Sequence, residues 1–168
     1  MVDDPMYMPC GDDAEQPATP QSEPSERLSP ESLMSDASTL SEMSVAALAE
    51  YCTREIRHYR NGEPNDGQYG LELLRRAILQ CDQHAWACWQ QCFSEIVHNW
   101  LRHHPHREAI YRLDCEENYV AQAFERFWLA TAHNQRLAFH SLAAALQYLH
   151  TSLNGTIVDA LRAYSRSK

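Results

Sequence analysis

From Ser44 onward, apolar side chains return every three or four positions in five successive runs, and only Pro64 and Pro105 interrupt the spacing. An α-helix brings positions three and four apart onto one side, so each run defines an apolar face. The chain is therefore expected to be all-α, a compact helical bundle of about five helices over residues 44–168. At 168 residues it has room for one ordinary domain and an appendage.

The runs set the expected elements. A first helix is capped by Ser44, carries Leu48, Tyr51, Cys52, Ile56 and Tyr59 along one side, and stops at Asn61 and Gly62. A second covers about Gln68 to Gln80, with Leu71, Leu74 and Ile78 inward. Asp82 caps a third, "QHAWACWQQCFSEIVHNWLR", in which Trp86, Trp89, Phe93, Ile96 and Trp100 form an aromatic stripe read as core. The fourth runs from about Cys115 to Ala132 and buries Tyr119, Val120, Ala123, Phe124, Phe127 and Ala130. Its opposite face holds Asn118, Ala121, Gln122, Glu125 and Leu129, with Trp128 at the edge of the seam. In the fifth, Leu142, Leu146, Leu149, Leu153, Ile157, Ala160 and Tyr164 keep phase straight through Asn154 and Gly155. An "NG" pair ordinarily marks a turn, but the unbroken stripe predicts one helix from about His140 to Ser165. Its outer face reads Ala144, Tyr148, Thr151, Gly155, Asp159 and Arg162. An exposed glycine inside a helix costs about 1 kcal/mol relative to alanine, which the close approach of a partner would explain.

Residues 1–43 have a different character. They hold six of the eight prolines and are rich in Ser, Asp and Glu, with few large apolar groups to offset chain entropy, so they read as a disordered acidic tail. The net charge of −9 belongs to this end: residues 1–50 carry eleven acids against Arg27 alone, while residues 51–168 carry thirteen basic and twelve acidic groups. The nearly neutral body makes whole-chain charge a poor guide to its partner. No basic start leads into an apolar run, and no stretch reaches the length of a membrane span, so a soluble cytoplasmic protein without membrane contact is expected.

Six cysteines (Cys10, Cys52, Cys81, Cys88, Cys92 and Cys115) show no framework spacing, and reduced thiols are expected. Cys81, His84, Cys88 and Cys92 share one side of a helix, but a straight helix aims about two such groups at one ion and the usual ligand knuckle is missing, so no metal is expected, and a metal or redox sensor on this stripe stands only as a third function class. "HHPHRE", with His103, His104 and His106, reads as a solvated loop after a helix that Pro105 ends. No nucleotide loop, catalytic triad or paired-carboxylate site is present, and neither an enzyme nor a cofactor is expected.

The order of pieces is distinctive. An "AW" helix, an acidic turn leading into "ENYVAQAFERFW", a connector led by Phe139, and "YLHTSLNGTIVDALR" follow one another between about residues 69 and 164. This combination resembles region 2 of bacterial RNA polymerase sigma factors of the sigma-70 family, in its extracytoplasmic-function-like form. In that family the fourth helix docks on the clamp coiled coil of the polymerase's largest subunit. The fifth helix and its preceding loop take bases of the melted minus-ten promoter element. Carried over by position, the resemblance implies polymerase binding at Asn118, Ala121, Gln122, Glu125 and Leu129, and DNA binding at Phe139, Tyr148, Thr151, Asn154, Gly155 and Arg162.

The chemistry fits those roles: Tyr148 would stack on a base, Asn154 would hydrogen-bond base edges, and Arg162 would fork onto phosphate. The family's Asp-x-x-Arg falls on Asp159 to Arg162, whereas its Asp-Leu-Val-Gln-Glu is replaced by "NYVAQ", and the fifth helix offers one Arg and no Lys. The resemblance implies a transcription-initiation module whose partners are core RNA polymerase and promoter DNA, with an anti-sigma factor as a further one. The sequence ends in "SRSK", and the region 4 helix-turn-helix domain of such factors is not expected. A second reading keeps the fold for interaction alone, as a decoy that occupies polymerase or an anti-sigma partner without opening DNA.

Overall fold

The computed structural model describes residues 38–132, 134 and 139–168. Among these, every regular element is a helix. The elements are α1 (Val45–Arg60), α2 (Gln68–Leu79), α3 (Gln83–Arg102), a short α4 (Arg107–Tyr111), α5 (Glu116–Ala132) and α6 (Leu142–Arg166), preceded by a brief helical segment at 38–42. Three side-chain caps fall where expected or close to it. Ser44, Asp82 and Ser141 accept hydrogen bonds from the backbone N–H groups of Ala47, Ala85 and Ala144, satisfying donors that a helix start leaves open.

α3 is the central element. It packs against α1 and α2 on one side and against α5 and α6 on the other, so a single core runs through the bundle. Trp89, Phe93, Val97 and Leu101 on α3 are fully buried, as are Tyr119 and Phe127 on α5 and Leu149, Leu153 and Ile157 on α6. Trp86 lies at the edge of the stripe and is half-buried. Trp128 covers it, with ring centres 4.7 Å apart, so this outlying tryptophan extends the aromatic core.

Several expected faces are displaced by the packing. α2 lies between α1 and α3, and the arc facing both centres on Leu73, Leu74 and Ala77, leaving Leu71 and Ile78 half-buried. On α1, Tyr51 and Tyr59 are exposed, and Tyr51 stacks on Tyr69 with centroids 4.7 Å apart. Thr131 takes the buried place expected of Ala130, its hydroxyl donating to the Phe127 carbonyl at 2.9 Å. α6 continues unbroken through Asn154 and Gly155, but its last turns lose their cover, so Ala160 is half-buried and Tyr164 exposed. Only residues 103–106 of the expected histidine loop are non-helical; α4 follows, because Ile110 is drawn into the core and its carbonyl accepts the Tyr119 hydroxyl at 3.0 Å.

The described body also begins earlier than residue 44. The buried Arg76 guanidinium donates to the carbonyls of Leu40, Ser41 and Met43 at 2.7–3.0 Å and to Glu72 at 3.0 Å, which satisfies a charge that burial would otherwise leave costly. Residues 38–43, expected in the acidic tail, are thereby held on α2. The remainder of that tail, residues 1–37, lies outside the described residues. Glu55 has a comparable joining role: its carboxylate accepts from the N–H groups of Tyr69 (2.9 Å) and Gly70 (3.1 Å) at the start of α2. Burial pushes its pKa up despite those two bonds.

Gly67 fixes where α6 begins. It precedes α2 with φ of 66°, and a Cβ there would stand 2.6 Å from Cβ of Leu142. Gly62 has a similar φ of 70° but open space around it. Gly67→Ala and Gly62→Ala share the cost of left-handed backbone, about 1–2 kcal/mol, and only the first adds a collision between α2 and α6. Thermal denaturation should therefore show the larger Tm loss for Gly67→Ala; equal losses would contradict this packing.

Candidate functional site

α5 and α6 pack along a shared seam, and their outward sides form the surface where the expected site residues lie. On α5, Asn118, Ala121, Gln122, Glu125 and Leu129 are all exposed. Leu129 is 53% exposed, and nothing in the fold requires an apolar side chain there. Gln122, Glu125 and Leu129 line a shallow groove with Thr156, Asp159 and Ala160 of α6. Asn118 is set apart, donating to Asp114 at 2.7 Å; that bond, with the Cys115 N–H, holds the Asp114 carboxyl below its ordinary pKa.

On α6, Tyr148, Thr151, Asn154, Gly155 and Arg162 line an adjoining groove, whose other wall is Arg126 and Ala130 of α5. Tyr148 is half-buried, its ring edge-on to Phe127 (5.8 Å) and Phe139 (5.9 Å), so the aromatic core holds it in place. Phe139 is outside the groove's lining, stacked on Phe127 at 5.8 Å and 10°. The exposed Thr151 hydroxyl donates to the Gln147 carbonyl of its own helix at 3.0 Å, leaving its oxygen as an acceptor. Arg162 is exposed and makes no ion pair among the described residues.

Asn154 is the most enclosed of these polar side chains. It is half-buried, its amide nitrogen stands 3.4 Å from Nδ1 of His150, and its amide oxygen is shielded from solvent. The residue borders the groove while its amide lies beside His150. Nearby His104 has its pKa lowered, first by burial and then by the charge of His106, with Asn154 opposing the shift.

Arg126, which lines both grooves, is the residue that periodicity missed. It crosses from α5 over Gly155, where a Cβ would stand 2.7 Å from Cζ, and donates to the Asp159 carboxylate at 2.6 Å. The glycine thus admits a neighbouring side chain of the same protein, and no outside partner is needed to explain it. A readable signal existed: a glycine one turn before an acid on an outward helix face, beside a helix carrying one arginine. The Arg126 hydrogen bond, and then the charges of Arg126, Arg162 and Arg166, hold the Asp159 carboxyl below its ordinary value. The ion pair is therefore complete above the usual aspartate range and is lost as pH falls through that lowered value.

No family model, curated protein or solved structure matches this chain. The two grooves meet at Arg126, Ala130 and Asp159, which line both. Among the described residues, no group of three or more His, Cys, Asp or Glu side chains is arranged to hold a metal ion, and no helix is long and apolar enough to cross a membrane.

Gly155→Ala should displace the flexible end of Arg126 without disturbing α6, since alanine favours a helix over glycine by about 1 kcal/mol. The Asp159 carboxyl should then titrate closer to an ordinary aspartate when followed by NMR, with helicity unchanged. A titration identical to that of the parent protein would show that Gly155 is not what admits Arg126.

Proposed function

We propose that this protein is a transcription-initiation module of the kind found in sigma factor region 2, docking on core RNA polymerase through α5 and receiving single-stranded minus-ten DNA along α6. The observation that carries this reading is the juxtaposition of the two outward faces. Gln122, Glu125 and Leu129 form one groove, Tyr148, Thr151, Gly155 and Arg162 form the next, and both share Arg126 and Asp159. A polymerase surface covering the first would bring melted DNA past the second.

The groove on α6 has the parts that single-stranded recognition needs. Tyr148 offers a preorganised aromatic surface, and base stacking on such a side chain contributes about 1–3 kcal/mol per base. Arg162 is available for phosphate, and Arg126 and Arg166 lie close enough to act on the same acid as Arg162. Three arginines neutralise few phosphates: at about 0.7 per contact on a single strand, the log–log salt slope should not exceed about 2 in magnitude. Affinity for DNA should therefore rest mainly on delivery by polymerase. Asp159 within the groove and the enclosed amide of Asn154 favour a second reading, in which the α5 face engages polymerase or an anti-sigma protein and DNA is never opened.

Co-purification with core polymerase, followed by binding to a bubble template, separates these readings. Glu125→Arg with Leu129→Asp should abolish co-purification while changing stability by less than about 0.5 kcal/mol, as surface substitutions usually do. Tyr148→Ala and Arg162→Ala should leave polymerase binding intact and weaken retention of the non-template strand. Polymerase binding with no preference for that strand over a scrambled one would establish the interaction-only reading, and unaltered co-purification of the double variant would refute the docking face.

A further inference from the structure

At the start of α6, a cavity of about 340 Å3 opens between α1, α3, α6 and the loop of residues 63–67, and it shares no lining residue with either groove described above. Its apolar wall combines Ile56 of α1, Phe93 and Ile96 of α3, and Leu142 and Leu146 of α6. The loop lies close against this wall because Gly67 carries no Cβ to meet Leu142. Every charged side chain in the lining is acidic: Glu55, Glu63 and Asp66. Glu63 meets His58, which lies outside the lining, and Asp66 accepts from Gln68.

Glu55 differs from the two acids on the loop. It is only 7% exposed, each of its carboxylate oxygens accepts one backbone N–H, and it makes no ion pair among the described residues. A carboxylate taken out of water without a cation beside it is costly, and two neutral donors offset only part of that cost. Its pKa moves accordingly: burial raises it, the Tyr69 and Gly70 N–H groups oppose the rise, and the charge of Asp66 adds to it. An apolar cavity is thus bordered by a buried anion that the fold leaves without a counter-charge.

We propose that this cavity binds a small organic cation, an ammonium carried on one aromatic ring or a short alkyl chain, with the apolar wall taking the body and the acidic side taking the charge. The volume stands at the small end of the range for ligand pockets, about 300–1,000 Å3, which suits a single ring. An ammonium brings three N–H donors and no acceptor, matching carboxylates that need donors and a charge. Tyr59, exposed and also in the lining, offers a ring face that attracts a cation. A neutral molecule of the same shape would leave Glu55 uncompensated, and an anion would meet three acids.

The test titrates the full-length protein at neutral pH with 2-phenylethylammonium, 2-phenylethanol and phenylacetate, which share a ring and differ in charge. Calorimetry gives the affinities, and NMR shifts of the Ile96 and Leu146 methyl groups locate the site. The cation should bind, the alcohol should bind about ten- to hundredfold more weakly for want of a charge-assisted hydrogen bond, and the anion should not bind. Glu55→Gln should reduce the cation to the affinity of the alcohol. Because Glu55 also holds the start of α2, a second variant is needed: Ala143→Phe, at an exposed position of α6 in the lining, should fill the cavity and abolish binding. No binding of the cation, equal affinities for cation and alcohol, shifts confined to other residues, or undiminished binding by Ala143→Phe would each overturn the proposal.

Discussion

The stacked contact of Trp89 with Phe127, ring centres 5.3 Å apart and 17° from parallel, joins the two halves of the bundle. Trp89 belongs to α3, against which α1 and α2 are packed, and Phe127 belongs to α5, which carries α6. The stack continues on either side, through Trp86 and Trp128 at one end and through Phe139 and Tyr148 at the other. Truncating a buried ring of this size costs about 3–5 kcal/mol, a large part of the roughly 5–15 kcal/mol by which a domain is stable. The same rings that hold α5 on α3 therefore set the position of Tyr148 at the surface.

From that frame the α5–α6 surface follows. Arg126, the neighbour of Phe127, reaches from α5 across Gly155 to Asp159. The ion pair is exposed and contributes little to stability in salt; its effect is to arrange charge. It places a cation between the two grooves and occupies the acid that would otherwise repel phosphate beside Arg162. The region is thus less hostile to an anion than its formal charges suggest, without becoming strongly basic.

Much of this was legible from residue spacing alone. Ser44 and Asp82 capped the helices they preceded in the sequence, the stripe from Leu142 to Ile157 carried α6 through Asn154–Gly155, and the outward set from Asn118 to Leu129 is outward. Periodicity describes one helix against one neighbour, and it misplaced residues where a helix meets two. Leu73 and Ala77 displaced Leu71 and Ile78 on α2, and Thr131 replaced Ala130 once its hydroxyl found a backbone partner. Interactions reaching between distant segments left no periodic trace: Arg76 holding the carbonyls of residues 40, 41 and 43, and Arg126 over Gly155. Asn154, assigned to DNA by the resemblance alone, borders the groove, and spacing gave no sign that His104 and His150 lie beside its amide.

The central claim is that one surface of α5 and α6 meets polymerase and melted DNA side by side. Photo-crosslinking from positions 122 and 151 in a single polymerase–bubble complex tests it most directly. Position 122 should crosslink to the largest polymerase subunit and position 151 to the non-template strand. Crosslinks from neither position, or from 122 to DNA and 151 to protein, would contradict the account.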